Sequence, residues 1–170
     1  RRSGIDVAAP AGQSARQIRK GAADNVRVWV ESLGGALPAE EVVRARPKRV
    51  LVVDDSATTR ELERTLLRVN GFDVETAVDG EAAWLSLGSQ SSDSPFDIVL
   101  TDVEMPRLDG FGLLGRIRAT PRYARLPVVM VTALEDPADK QRALDMGASA
   151  YIVKSSFDED QLLDVIAHLL

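Results

Sequence analysis

Two carboxylates, Asp54 and Asp55, stand side by side where the apolar run Val50 to Val53 stops, in "KRVLVVDDSATTRE". Adjacent carboxylates repel, and burying either one unpaired costs several kcal/mol. A bound cation resolves that conflict. Other apolar runs stop at residues that would complete a cation site: Asp102 in "DIVLTDVEMPRLDG", Thr132 in "LPVVMVTA" and Lys154 in "ASAYIVKSS". Carboxylates of Asp54, Asp55 and Asp102 on one spot favour Mg2+, which takes oxygen ligands and keeps several waters. A lysine offers a point charge suited to a phosphoryl oxygen, and a threonine hydroxyl offers a donor. An aspartate can act as nucleophile and form an aspartyl-phosphate, while metal and lysine neutralise charge on the transferred group. The expected chemistry is an acid pair that holds a metal beside Asp102, which takes up phosphate.

Each residue alone has a plainer explanation. Adjacent aspartates after a strand usually cap a helix. Asp102 could serve the turn that "MPRLDG" announces. A lone threonine or lysine at a strand end carries no information. The argument rests on their order, each at the end of its own apolar run.

The elements that must position these groups are regular from Arg49 onward. Strands are expected at Arg49–Val53, Asp73–Ala77, Ile98–Thr101, Val128–Val131 and Ala150–Val153, with helices at about 57–70, 80–88, 110–119, 137–146 and 158–170. Apolar strands separated by amphipathic helices argue for a parallel sheet covered on both faces. Asn70-Gly71 and Met146-Gly147 are placed to end helices, Pro137 to open one and Asp158 to cap the last. In that last helix Leu162, Leu163, Ile166, Leu169 and Leu170 form an apolar stripe. The polar "SLGSQSSDSPFD" reads as a surface loop. The fold expected is α/β, a flavodoxin-like doubly wound five-stranded parallel sheet of order 2-1-3-4-5 with five helices. In such a sheet chemistry collects at the carboxyl ends of the strands.

Bulk properties remove other chemistries. The 170 residues contain no cysteine, and the one histidine is His168, so thiol chemistry and a histidine-based metal or nucleophile system are not expected. Apolar runs are strand-sized, far short of the roughly 20 residues of a membrane span. No signal-peptide layout opens the chain, which does not begin with Met. A cytoplasmic fragment of a longer protein is expected. Charge is uneven: residues 1–49 hold ten Lys/Arg against five Asp/Glu, residues 50–170 eleven against twenty-one. A basic arm can bind nucleic acid, but it lacks aromatic interleaving and any recognition motif, so no nucleic-acid partner is expected. Residues 1–47 read as a linker and helical extension. Ser14 and Gln17 resemble a capping box, Ala15, Ile18, Ala22, Val26, Trp29, Leu33 and Leu37 follow the spacing of an amphipathic seam, and Gly34-Gly35 is placed to end the helix. That seam must bury against its own domain or a partner.

Residues 48–170 closely resemble the receiver domain of two-component signalling, the CheY-like phosphoacceptor module. Its acidic pair matches Asp54 and Asp55. Its phosphorylated aspartate matches Asp102, followed by the family's Met-Pro-x-x-Asp-Gly stretch as "VEMPRLDG". Thr132 matches the switch hydroxyl, Tyr151 the switch aromatic and Lys154 the family's lysine. The resemblance implies Mg2+, with Mn2+ as its substitute, bound by Asp55, Asp102 and the backbone carbonyl of Glu104, with Asp54 acting through water. It implies a histidine kinase phosphodonor domain, in cis or in trans, as partner, and a phosphoacceptor rather than a conventional enzyme. One departure stands out. Ser155 follows Lys154 where the family normally has a proline after a cis bond. A trans bond is expected, because cis before a non-proline residue costs about 2.5–4 kcal/mol, and Phe157 would then be repositioned. "KSSFDEDQLL" resembles receivers fused to CheA-type chemotaxis histidine kinases, with a gliding-motility kinase of the FrzE type as an expected parent and CheW-like chemotaxis proteins as expected partners.

Other classes share parts of this pattern. A haloacid-dehalogenase-type phosphatase also uses a strand-end aspartate, threonine, lysine and Mg2+. Its paired aspartates come last in the chain, whereas here they come first, and Glu104 stands where its second aspartate belongs. A P-loop NTPase needs Gly-x-x-x-x-Gly-Lys-[Ser/Thr], which does not occur. A degenerate receiver acting only as a docking module remains the further alternative.

Overall fold

The computed structural model describes residues 46–90, 94–156 and 159–170. The extension seam, Phe157 and the Asp158 cap lie outside the described residues. Strands β1 (Arg49–Val53), β2 (Asp73–Ala77), β3 (Ile98–Thr101), β4 (Val128–Thr132) and β5 (Ala150–Val153) alternate with helices α1 (Ala57–Val69), α2 (Gly80–Ser89), α3 (Gly110–Ala119), α4 (Pro137–Asp145) and α5 (Glu159–Leu169). The strands form one sheet of order β2-β1-β3-β4-β5, and every pairing is parallel. This is the doubly wound arrangement expected from the alternation of apolar runs and amphipathic segments.

The central strands are mostly apolar because both faces are covered, whereas β2 at the sheet edge carries Asp73 and Glu75. Successive side chains point to opposite faces. Leu51, Val53, Val99 and Met130 pack on one face with Leu87, Phe111, Leu114 and Ile117. Val50, Val52, Ile98, Leu100, Val129 and Val131 pack on the other with Leu67, Leu162 and Ile166. Burying Leu162 and Ile166 fully contributes about 1.5–3 kcal/mol each. The rest of the α5 stripe is less deep. Leu163 and Leu169 are partly buried, and Leu170 is exposed.

Punctuation follows side-chain chemistry. Ser56, Asp79, Asp109 and Asp136 each accept a backbone N–H in the first turn of the helix they precede, and Pro137 opens α4. Gly71 (φ 90°) and Gly147 (φ 92°) follow the ends of α1 and α4 in the left-handed conformation. Boundaries differ from expectation by about a residue, and at one of them the difference matters: α2 continues to Ser89, so the first residues of "SLGSQSSDSPFD" are helical. Leu87 explains it, since its full burial keeps that turn on the sheet. β4 likewise runs one residue further, making Thr132 its last.

Candidate active site

Parallel strands in this order bring the carboxyl ends of β1, β3, β4 and β5 to one edge, at the switch point between β1 and its neighbours. The segments leaving that edge are tied to one another through the backbone. Asp102 N–H donates to the Val53 carbonyl (2.8 Å), and Asp54 N–H to the Ala77 carbonyl (3.2 Å). Asp54 and Asp102 therefore leave neighbouring strands side by side.

Carboxylate oxygens of Asp54, Asp55 and Asp102 lie within 4.8 Å of one another. Asp54 is buried, 1% exposed, and its Oδ1 accepts the Ser56 N–H at 2.7 Å. Asp55 is exposed. Asp102 Oδ1 accepts the Val103 N–H at 2.6 Å and, more weakly, the Glu104 N–H at 3.4 Å. Arg60 on α1 donates to the carbonyls of Asp54 (2.7 Å) and Asp55 (3.0 Å) and so fixes the backbone of the acid pair. This is a hard, all-oxygen donor set of graded exposure, and it fits Mg2+.

Lys154, the first residue after β5, spans the cluster. Its Nζ lies 2.6 Å from Asp54 Oδ2 and 2.7 Å from Asp102 Oδ2. Burial opposes the ammonium's charge, but hydrogen bonds and charges from Asp102 and Asp54 outweigh it and move the lysine's pKa upward. No cis peptide occurs among the described residues, so the Lys154–Ser155 bond is trans as expected. The chain leaves β5 through a 3-10 turn, Lys154–Ser156, and the Ser155 hydroxyl donates to the Glu135 carboxylate.

Thr132 and Tyr151 meet at a shared backbone residue rather than at the carboxylates. Thr132 is fully buried, and its Oγ1 accepts the Leu134 N–H at 3.3 Å. The Tyr151 hydroxyl donates to the Leu134 carbonyl at 3.1 Å. Burial, then the charges of Asp139, Asp102, Asp136 and Glu104, raise the tyrosine's pKa. The Leu134 peptide units thus connect the end of β4 with β5. Glu104 stands in the loop between β3 and α3, and Gly110, the first residue of α3, packs against the start of that loop: a Cβ there would lie 2.1 Å from the Asp102 carbonyl oxygen.

Sequence reasoning missed Glu63. It is buried on α1, 5% exposed, one turn before the buried Leu67, and that four-residue spacing was the available signal. Burial first, then Asp54, push its carboxyl from the usual 4.5 up to about 7; Asp102 adds to this and Lys154 opposes it. The unfolded chain therefore gives up this proton at lower pH than the folded one. The resulting stability is complete below about pH 4.5 and is lost as pH rises through about 7. Glu63→Gln removes that loss. In chelator-treated protein the variant is expected to gain about 2 kcal/mol on the wild type between about pH 5 and pH 8, read from urea midpoints. Parallel pH curves would show that Glu63 ionises as it does in the unfolded chain.

A family model described as the response regulator receiver domain matches residues 50–167. The gliding motility regulatory protein of Myxococcus xanthus is 42% identical over 134 residues, covering 79% of this chain and 17% of that protein. The chemotaxis protein CheY4 of Vibrio cholerae superposes with a TM-score of 0.66 at 32% identity, over 73% of this chain and 99% of CheY4. TrrA of Thermotoga maritima, solved in complex with Mg2+ and BeF, superposes with a TM-score of 0.63 at 32% identity, over 72% of this chain and 99% of TrrA. The chain spans less than half the length of the curated relatives it matches. The family match runs from within β1 to the last turn of α5, and the chain belongs to the response regulator receiver domains of two-component signalling.

Proposed function

We propose that Asp102 accepts a phosphoryl group from a phosphohistidine of a kinase, in a Mg2+-dependent reaction, and that residues 48–170 are the unit that does so. The observation that carries this is the Lys154 ammonium bridging Asp54 and Asp102, 2.6 and 2.7 Å away, beside the exposed carboxylate of Asp55. An oxygen of Asp102 attacks phosphorus, the P–N bond to the histidine breaks, and the freed imidazole leaves with a proton. Lys154 stays on the acceptor side and meets charge on the phosphoryl oxygens. Asp54, Asp55, Asp102 and the Glu104 carbonyl would hold the metal, which neutralises charge on the transferred group. The Thr132 hydroxyl would exchange its bond to the Leu134 N–H for one to a phosphoryl oxygen, and Tyr151, held on the same residue, would follow. That shared anchor is how acceptance at Asp102 would be relayed to the β4–α4 loop and the outer face of β5.

The relative from M. xanthus supports a motility or chemotaxis setting, with the phosphodonor in the same chain or a separate one, CheW-like proteins as further partners, and residues 1–47 as a connecting extension. Acetyl phosphate replaces the kinase in a direct test. With Mg2+, intact-mass analysis should show a single phosphoryl group per chain, and a chelator should prevent it. Steady turnover of a phosphomonoester without stoichiometric labelling would instead identify a phosphatase, and no labelling at all a docking module.

A further inference from the structure

The loop that carries Asp102 and Glu104 is clamped on its far side by an ion pair that the reaction does not use. Asp79, the residue before α2, is fully buried, whereas Arg107, in the middle of the β3–α3 loop, is 61% exposed. Asp79 Oδ1 accepts the Ala82 N–H at 2.9 Å and caps α2. Its Oδ2 is met by the Arg107 guanidinium and by no hydrogen bond among the described residues. Arg107 covers this carboxylate from the solvent side.

Two independent observations show that the contact is built rather than incidental. Arg107 has φ 66°, the one positive φ among described non-glycine residues. A long side chain holds the left-handed conformation only where its surroundings over-determine it. Next to the ion pair the two backbones also touch. The Gly80 N–H donates to the Leu108 carbonyl at 3.0 Å, so closely that a Cβ on Gly80 would lie 2.5 Å from that oxygen. The start of α2 and the β3–α3 loop are thus joined by a backbone bond and, beside it, a charge pair.

We propose that Asp79 and Arg107 are positioning residues for the metal site: their pairing holds the β3–α3 loop in the conformation that presents the Glu104 carbonyl beside Asp102. This rests on the phosphoacceptor function proposed above. Residues that orient ligands without touching the ion typically change metal affinity by about 10–100-fold. The pair fixes the loop at one side while Asp102 fixes it at the other, leaving Glu104 between two anchors. Losing the pair strands a buried carboxylate and frees the loop.

Arg107→Gly tests this sharply. Glycine suits the positive φ, so the variant relieves the backbone while removing the guanidinium. Mg2+ affinity, measured by calorimetry on the unphosphorylated protein, should weaken about tenfold. With acetyl phosphate, the Mg2+ concentration at half-maximal rate should rise by the same factor, while the rate at saturating Mg2+ is unchanged. Arg107→Lys, which keeps a cation in reach, should recover most of the affinity. Asp79→Asn, which keeps the helix cap, should lose as much as Arg107→Gly, and the double variant should lose no more than either. Wild-type Mg2+ affinity in folded Arg107→Gly or Asp79→Asn overturns the proposal, even if the melting temperature falls, because that pattern is a purely structural role. If Arg107→Gly does not fold, Arg107→Lys and Asp79→Asn decide by the same criterion. Wild-type protein that binds no Mg2+ would instead remove the phosphoacceptor function on which the proposal stands.

Discussion

Asp102→Asn is expected to abolish phosphoryl uptake from acetyl phosphate and leave the fold intact. An amide oxygen is far less nucleophilic than a carboxylate oxygen, so the P–O bond does not form. The packing changes little. The amide oxygen can still accept the Val103 N–H, now at 2.6 Å, and Lys154 keeps Asp54 at 2.6 Å. Removing one charge also relieves repulsion within the Asp54, Asp55 and Asp102 cluster. Without metal the variant should therefore unfold at a urea concentration no lower than the wild type. Intact mass after incubation with acetyl phosphate and Mg2+ reads the first result and a denaturation curve the second. Labelling of the Asn variant at the wild-type level would move the acceptor elsewhere.

Lys154→Met separates the lysine's two tasks, bridging the two carboxylates and meeting the phosphoryl group. Its side chain is 24% exposed, and that of Asp54 is 2% exposed. Removing one partner of a buried ion pair costs about 3–5 kcal/mol, because the other charge is left buried. The lysine's partial exposure places this loss at the lower end, about 3 kcal/mol, in metal-free protein at neutral pH. The methionine variant leaves Asp54 and Asp102 facing each other without a cation. Added Mg2+ should stabilise the variant more than the wild type, since ligand binding to the folded state alone raises stability by mass action and a divalent ion supplies the missing charge. Phosphorylation should remain slow even at saturating Mg2+, because the metal does not replace the ammonium on the phosphoryl oxygens. Equal Mg2+-induced shifts in melting temperature for variant and wild type would refute the charge-substitution account.

Much of the site was legible because of how parallel sheets are built. Asp54, Asp102, Thr132 and Lys154 each end an apolar run or follow it directly. Once the runs are strands of a doubly wound sheet, all these residues must share one edge, whatever the loops do. The helix starts expected at about 57, 80, 110 and 137 are those observed, because Ser56, Asp79, Asp109 and Asp136 cap them by their own short-range hydrogen bonds. The trans bond at Lys154 was also a local matter, decided by the missing proline.

What stayed hidden depends on distances between residues far apart in the chain. Lys154 and Asp54 are 100 positions apart, and only the packed sheet brings their charges within hydrogen-bond reach. The bond that the Thr132 hydroxyl accepts from the Leu134 N–H, and the Tyr151 bond to the same residue, were likewise not legible in the sequence. Glu63 was not singled out: its spacing to Leu67 hints at the buried face of α1, but only the packing of α1 on the sheet shows that its carboxyl is desolvated and pushed up to about 7. Nothing in the sequence joins Arg107 to Asp79, and only the approach of the β3–α3 loop to α2 makes them a pair. By itself the sequence determined the strand order's chemical edge and which residue types stand on it, because backbone hydrogen bonding and side-chain alternation are short-range and periodic. The tertiary structure alone decided which charges neutralise which, because Coulomb interactions and desolvation depend on separation in space and on burial, and a linear order encodes neither.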